Sequence, residues 1–308
     1  MQKHPETILV ALDLNASGTE VTLGAQQATR QAIVLGKARG ACLRFVHSVY
    51  MDDYRTPLSG SPGIVHEGLP EAGEKALAEM RGLARNAGLD TELVITEDRP
   101  WLDITKMAVR GEVDWVLVGK RNQPAEDGRR LGSTANKLLL KCPCPLWLVR
   151  PEHELQHENI LAASDLSPVG DRAQELACEM SRVLACQLHV VHAWQMPLEL
   201  QLSASRISKE EYREELQAIE AKVKAHLQAC CDRAQHQDAK LHCANGTPSQ
   251  VIGAAVKQWN PDLLVMGSLS YAGIAGMLLG STAERMLGAV DCDLLVIKPA
   301  DFKSPVEA

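Results

Sequence analysis

The chain has 308 residues, 45% of them hydrophobic and 23% charged, a balance expected of a soluble globular protein long enough for two domains. A net charge of −7 argues against general nucleic-acid binding, which needs clustered Lys and Arg, and no apolar run reaches the length of a membrane helix. Nine irregularly spaced cysteines and a polar start, MQKHPET, fit reduced thiols in a cytoplasm rather than a secreted disulfide framework.

With only two Phe, four Tyr and five Trp, the cores have to be aliphatic. Thr7–Asp13 (TILVALD) reads as a strand buried on both faces, and a helix is expected from about Thr19 to Arg39 with Ser17 as a candidate cap. Cys42–Val49 is a second strand, and residues 51–69 are a loop by their Pro, Gly and Ser content. A helix from Pro70 to about Asn86 stops near Gly88. Thr91–Glu97 is a third strand, and Pro100-Trp101 opens another helix. The strand WVLVG, a long loop, a helix from Ser133 and the strand PLWLVRP follow.

Residues 151–158 (PEHELQHE) read as a polar, solvated linker, after which the order repeats. ILAASDLS matches ILVALDLN, LHVVHAW matches LRFVHSV, and Cys292–Pro299 matches Cys144–Pro151. Residues 208–235 form a long charged helix, and the residues beyond Pro299 look like a tail. Each half is therefore β-α-β-α-β-α-β-α-β. The fold class is α/β, two tandem Rossmann-like domains (1–151 and 152–308), each a five-stranded, mostly parallel sheet with helices on both faces.

The repetition is closest at one place. Residues 114–134 (DWVLVGKRNQPAEDGRRLGST) align without a gap on residues 262–282 (DLLVMGSLSYAGIAGMLLGST). Asp114 meets Asp262, Gly119 meets Gly267, and Gly132-Ser133-Thr134 meet Gly280-Ser281-Thr282. A buried strand, a glycine-bearing loop and a helix start form a βα junction of the kind that holds phosphates, because the first helical N–H groups point at the ligand. Asp13 and Asp165 end the first strand of each half, and both are expected at the crevice where strand order reverses, as ligand contacts rather than caps. Ser167 or Asp171 is left to cap the second copy of that helix.

The strand-one Asp, the pairs Val46-His47 and Val191-His192, and the G-x2-G-x9-G-[ST] spacing resemble the universal stress protein family in its tandem form, across nearly the whole chain. The ending CDLLVIKPADFKSPVE is similar to the E-type branch. The resemblance implies the adenine nucleotide α-hydrolase-like variant of the fold, pairing of the two halves through their fifth strands, and a role in resistance to starvation, oxidants or DNA-damaging agents. Homo-oligomerisation stays open. It further implies adenine-nucleotide (ATP) binding, with no metal required by the sequence.

By the same resemblance, the nucleotide site of the second half is Ala163, Ser164, Asp165, Ala193, Met266, Gly267, Ser270, Gly280, Ser281 and Thr282. That of the first half is Ala11, Leu12, Asp13, Ser48, Val118, Gly119, Asn122, Gly132, Ser133 and Thr134. Both halves depart from the family pattern at the second glycine, which is Asn122 in one and Ser270 in the other.

The first loop offers Lys120, Arg121, Arg129 and Arg130 to phosphates, with a solvated basic loop as the equal alternative. The second offers Leu269, Tyr271, Ile274, Met277 and Leu278, an apolar wall that suits the partner domain or a lipid-like ligand. His47 and His192 are expected as hydrogen-bonded core residues, and His189 should point away from His192 across the strand. Cys230 and Cys231 should face different directions as packing residues. There is no Walker lysine, GxSxG elbow or HExxH pair, and no residue stands out as a general base; the family resemblance implies at most slow ATP hydrolysis.

Overall fold

The computed structural model describes residues 5–50, 69–120, 131–152, 157–196, 208–268 and 281–307, without the side chains of 281 and 287–289. The loop expected over residues 51–69 and the interior of the linker therefore fall almost wholly outside the described residues. So do Asn122, Ser270 and Gly280, together with Arg121, Arg129, Arg130, Leu269, Tyr271, Ile274, Met277 and Leu278.

Two compact units emerge. The first contains Met1–Leu155 together with Asp301–Ala308, and the second contains Gln156–Gly273 and Leu279–Ala300. In the first, β1 (Thr7–Ala11), α1 (Leu23–Arg39), β2 (Cys42–Ser48), α2 (Glu71–Asn86), β3 (Thr91–Thr96), α3 (Pro100–Val109), β4 (Trp115–Gly119), α4 (Ser133–Lys141) and β5 (Leu146–Val149) alternate. The strand order is β3-β2-β1-β4-β5, with every pair parallel.

The second unit repeats this with β6 (Asn159–Ala163), α5 (Pro168–Leu184), β7 (Gln187–Trp194), α6 (Lys209–Arg233), β8 (Lys240–Asn245), α7 (Pro248–Trp259), β9 (Leu263–Gly267), α8 (Ser281–Ala289) and β10 (Asp293–Ile297). Its order is β8-β7-β6-β9-β10, again all parallel. Order reverses beside β1 in one unit and beside β6 in the other, which is where such sheets bind ligands.

The strands are apolar runs because both sheet faces are covered: Ile8, Leu9, Val10, Ile160, Leu161 and Ala162 are fully buried. Helix α1 lays Ala25, Ala28, Ala32 and Gly36 on the sheet, and short side chains let it come close. Its start differs from expectation. Asn15 Oδ1 accepts from Ser17 Oγ at 2.9 Å and from the Thr19 amide at 3.0 Å, and Leu14 bridges Val21. This turn holds residues 14–21 out of the helix, so Thr22, not Ser17, caps it by accepting from the Ala25 amide. Of the two candidates for α5, Ser167 is the cap and Asp171 lies in the first turn. His157, the residue before the last of the linker, is buried where a solvated one was expected.

Gly119 has a steric duty that its place in a phosphate loop does not suggest. A Cβ there would stand 2.3 Å from the carbonyl carbon of Gly24, and a Cβ on Gly24 would stand 2.5 Å from the Lys120 carbonyl oxygen. Helix α1 thus meets the end of β4 backbone to backbone. Gly119→Ala should destabilise the protein by roughly 1–3 kcal/mol through overpacking. Gly82→Ala, in helix α2 with open space around it, should stabilise by roughly 0.5–1 kcal/mol. Urea denaturation of the two variants checks both signs.

Candidate functional site

The first cleft opens at the carboxyl ends of β1, β2 and β4. Leu12 is held there by its amide donating to the Val46 carbonyl at 2.8 Å, while the buried His47 Nδ1 donates to the Leu12 carbonyl at 3.0 Å. The chain therefore turns out of β1 at Asp13, whose carbonyl accepts from the Thr22 amide at 2.8 Å. Nine residues named from the sequence, Ala11, Leu12, Asp13, Ser48, Val118, Gly119, Gly132, Ser133 and Thr134, line one cavity of about 750 Å³. Lys120 lines it too. Gly132 is the N-cap of α4 and offers no side chain, so the first turn of that helix presents N–H groups without a side-chain cap to the cavity.

Ser48 lines the cavity with its hydroxyl already engaged. It donates to the Asp98 carbonyl at 2.6 Å and accepts from the Tyr50 amide at 3.0 Å, so its work is to place Tyr50. Tyr50, Pro100 and Ile104 complete an apolar wall that residue patterns alone did not single out. Their one sequence signal is position, two residues beyond the end of a strand and at the start of the helix that follows β3. Arg99 steadies the ring of Tyr50, its guanidinium lying 5.7 Å from the ring centre.

The corresponding place in the second unit gathers Ala163, Ser164, Asp165, Ala193, Met266, Gly267 and Thr282 around only about 120 Å³. His192 Nδ1 donates to the Ser164 carbonyl at 2.8 Å, repeating the role of His47. Asp165 Oδ1 accepts from the Ser167 amide at 3.1 Å and from the Ser167 hydroxyl, and Ser164 Oγ accepts from the Leu166 amide at 3.2 Å. Both side chains thereby hold the tight turn from β6 into α5, through Leu166 at a left-handed φ of 60°.

The difference in size follows from chain length. Residues 12–22 connect β1 to α1, whereas residues 164–167 connect β6 to α5. The longer connection lends Leu14, Asn15, Ala16, Glu20 and Val21 to the first cavity as an outer wall. Ser281 begins α8, in line with the sequence reading of a helix start there.

A model of the universal stress protein family matches residues 5–150 and again residues 157–298. The chain belongs to the universal stress protein family. Two copies of the family's domain lie in tandem. Universal stress protein E of Photorhabdus laumondii is 26% identical over 92% of this chain and 94% of its own length. Universal stress protein E of Escherichia coli K12 is 25% identical over 98% of this chain and 96% of its own. Among solved structures, a universal stress protein from Archaeoglobus fulgidus is similar in fold at 20% identity, with a TM-score of 0.64 over 96% of this chain and 99% of that one. A functionally unknown protein from Pseudomonas aeruginosa PAO1 reaches a TM-score of 0.70 at 19% identity, covering 97% of this chain and 94% of its own.

Among the described residues, no group of three or more His, Cys, Asp or Glu is placed to hold a metal ion, and no helix is long and apolar enough to cross a membrane. His189 points away from the cleft, as expected for a residue three along the strand from His192. It stacks on His242 and Trp259 with ring centres 5.4 and 4.7 Å away, and its Nδ1 shares a 3.2 Å hydrogen bond with His242 Nε2. Burial first, then the charges of His242 and Lys240, push His189 down to about 4, and burial lowers His242 as well.

The folded state thus favours neutral rings. Their contribution to stability is complete above the unfolded value of about 6.5 and is lost as pH falls toward 4, because the unfolded chain takes up protons first. Urea midpoints should fall across that window, and His189→Gln should flatten the fall. A variant with an unchanged pH slope would count against this assignment.

Proposed function

We propose that this universal stress protein is an adenine-nucleotide-binding module of the stress response and that its first unit carries the working site. One observation supports this above the others. The first cleft, at the switch point of the sheet, has about 750 Å³, inside the range of roughly 300–1,000 Å³ usual for small-molecule pockets, while the second has about 120 Å³. The uncapped first turn of α4 suits a phosphate, with Lys120 alongside as a cation.

A helix terminus supplies only about 0.3–2 kcal/mol, whereas micromolar affinity needs about 8 kcal/mol. Burial of a base against Tyr50, Pro100, Ile104 and Val118 has to provide most of the rest. Asp13, at the mouth of the switch point, is the ribose contact in this reading. The nine cysteines are all free thiols, which agrees with action in the cytoplasm. In the cell the same reading has the protein support survival under starvation, oxidants or DNA-damaging agents.

Calorimetric titration with ATP tests the assignment. Asp13→Ala should weaken binding by about tenfold or more, about 1.4 kcal/mol, while Asp165→Ala leaves it within about twofold. Equal loss in both variants would move the site to both units. Mass spectrometry of the ligand that survives native purification provides the second check, since recovery of an acyl compound and no adenylate would overturn the nucleotide reading.

A further inference from the structure

The helices α5 and α6 of the second unit enclose a group of sulfurs that the ligand cleft does not use. Cys178 on α5 and Cys230 and Cys231 on α6 are all fully buried. The Cys178 thiol donates to Cys231 Sγ across 4.0 Å. A second donor meets the same sulfur, because Gln174 Nε2 lies 3.1 Å from Cys231 Sγ while also donating to the Leu227 carbonyl at 2.7 Å. Gln174 is itself fully buried, and its Oε1 has no partner among the described residues. That amide is placed for its donors, and one of them serves a sulfur.

Cys230 behaves differently. Its thiol donates away from this pair, to the Asp171 carbonyl at 3.4 Å, and burial pushes it up to about 12. The expectation that adjacent Cys230 and Cys231 face different ways holds, but packing does not exhaust the part played by Cys231.

We propose that Cys178 and Cys231 are a peroxide-oxidisable dithiol that closes to a disulfide joining α5 to α6. Two thiols with 4.0 Å between sulfurs need to approach by about 2 Å to reach bonding distance. The hydrogen bond from Cys178 lowers the Cys231 thiol against the opposing effect of burial, and the Gln174 donor helps, while Cys178 is raised by that same pairing and by burial. This division of labour gives one sulfur thiolate character and leaves the other as the resolving thiol.

The chemistry balances with hydrogen peroxide as the oxidant. The Cys231 thiolate attacks one peroxide oxygen, the O–O bond breaks, and hydroxide leaves with Cys231 as a sulfenic acid. Cys178 then loses its proton and attacks that sulfur, the S–O bond breaks, and the oxygen leaves as water. In sum, two thiols and one peroxide give one disulfide and two waters, the sulfurs losing two electrons and the peroxide gaining them.

Access to the buried pair comes from the way α6 is held. Of its 25 residues, those buried are Val223, Leu227, Cys230 and Cys231. Outside them runs a polar clasp in which Asp171 accepts from His226 at 2.7 Å and Arg233 at 3.0 Å, and Arg233 also reaches Glu175 at 3.0 Å. Partly exposed pairs of this kind contribute little, so a helix anchored by so few buried side chains opens locally more readily than the sheet beneath it. Once formed, the disulfide removes that freedom.

Treatment of the reduced full-length protein with hydrogen peroxide at neutral pH, followed by non-reducing peptide mass spectrometry, tests the proposal. The expected product is a Cys178–Cys231 cross-linked peptide pair lighter by two hydrogens, formed before the half-buried Cys42, Cys144, Cys186 and Cys243 are consumed. Cys178→Ser should leave a sulfenic acid on Cys231 that dimedone captures, Gln174→Leu should slow the reaction by about tenfold through loss of thiolate, and Cys230→Ser should form the bridge as the parent does. Should the Cys178 or Gln174 variant not fold, the parent and Cys230→Ser carry the test. Recovery of Cys178 and Cys231 as free thiols after the half-buried cysteines have been oxidised would overturn the proposal, as would a bridge to Cys230 instead.

Discussion

The contact between the first helix of each unit and the end of its fourth strand governs the rest of the structure. At Gly24 and Gly119 two backbones touch with no room for a methyl group. In the second unit the Val169 side chain lies against Gly267, where an added Cβ would stand 3.2 Å from it. A helix drawn this close covers one face of the parallel sheet and is half of the two-sided cover that makes β1, β4, β6 and β9 continuous apolar runs. The same contact leaves the carboxyl ends of β1 and β4 on either side of a crevice, which is the ligand position that a reversing strand order creates.

From one scaffold the two units have built unequal clefts. Both keep the histidine that ties strand two to the turn after strand one, His47 in the first and His192 in the second. Both keep an Asp at that turn. What differs is the length of chain before the next helix. In the second unit Asp165 and Ser164 spend hydrogen-bonding capacity on a short, left-handed turn. In the first, residues 14–21 make their own turn on Asn15 and stand aside as a wall. The second unit instead carries its distinctive chemistry elsewhere, in the sulfurs between α5 and α6 and in the His189, His242 and Trp259 stack.

These features illustrate how one side chain can be claimed by packing and by function at once. Gly119 belongs to a spacing that resembles a phosphate loop, yet sterics alone demand a glycine there. Ser48 lines a cavity while its hydroxyl secures Tyr50. Gln174 braces two helices while one of its N–H groups meets a sulfur. In each case position within the fold adds a second duty to a residue whose type already suited the first.

The amino-acid sequence alone determined the duplication, the alternation of strands and helices, the family, and nine residues of the first crevice and seven of the second, because these depend on local patterns repeated at constant spacing. Asp13, His47 and the Gly132-Ser133-Thr134 helix start were all legible in this way. Tertiary structure decided the rest. Cleft volume depends on how residues 14–21 fold back, and the wall of Tyr50, Pro100 and Ile104 joins the end of β2 to helix α3, two places about 50 residues apart in the chain. The pairing of Cys178 with Cys231 joins residues 53 apart through the crossing of two helices. Contacts of that kind are made by packing between elements, and no period or motif along the chain encodes them.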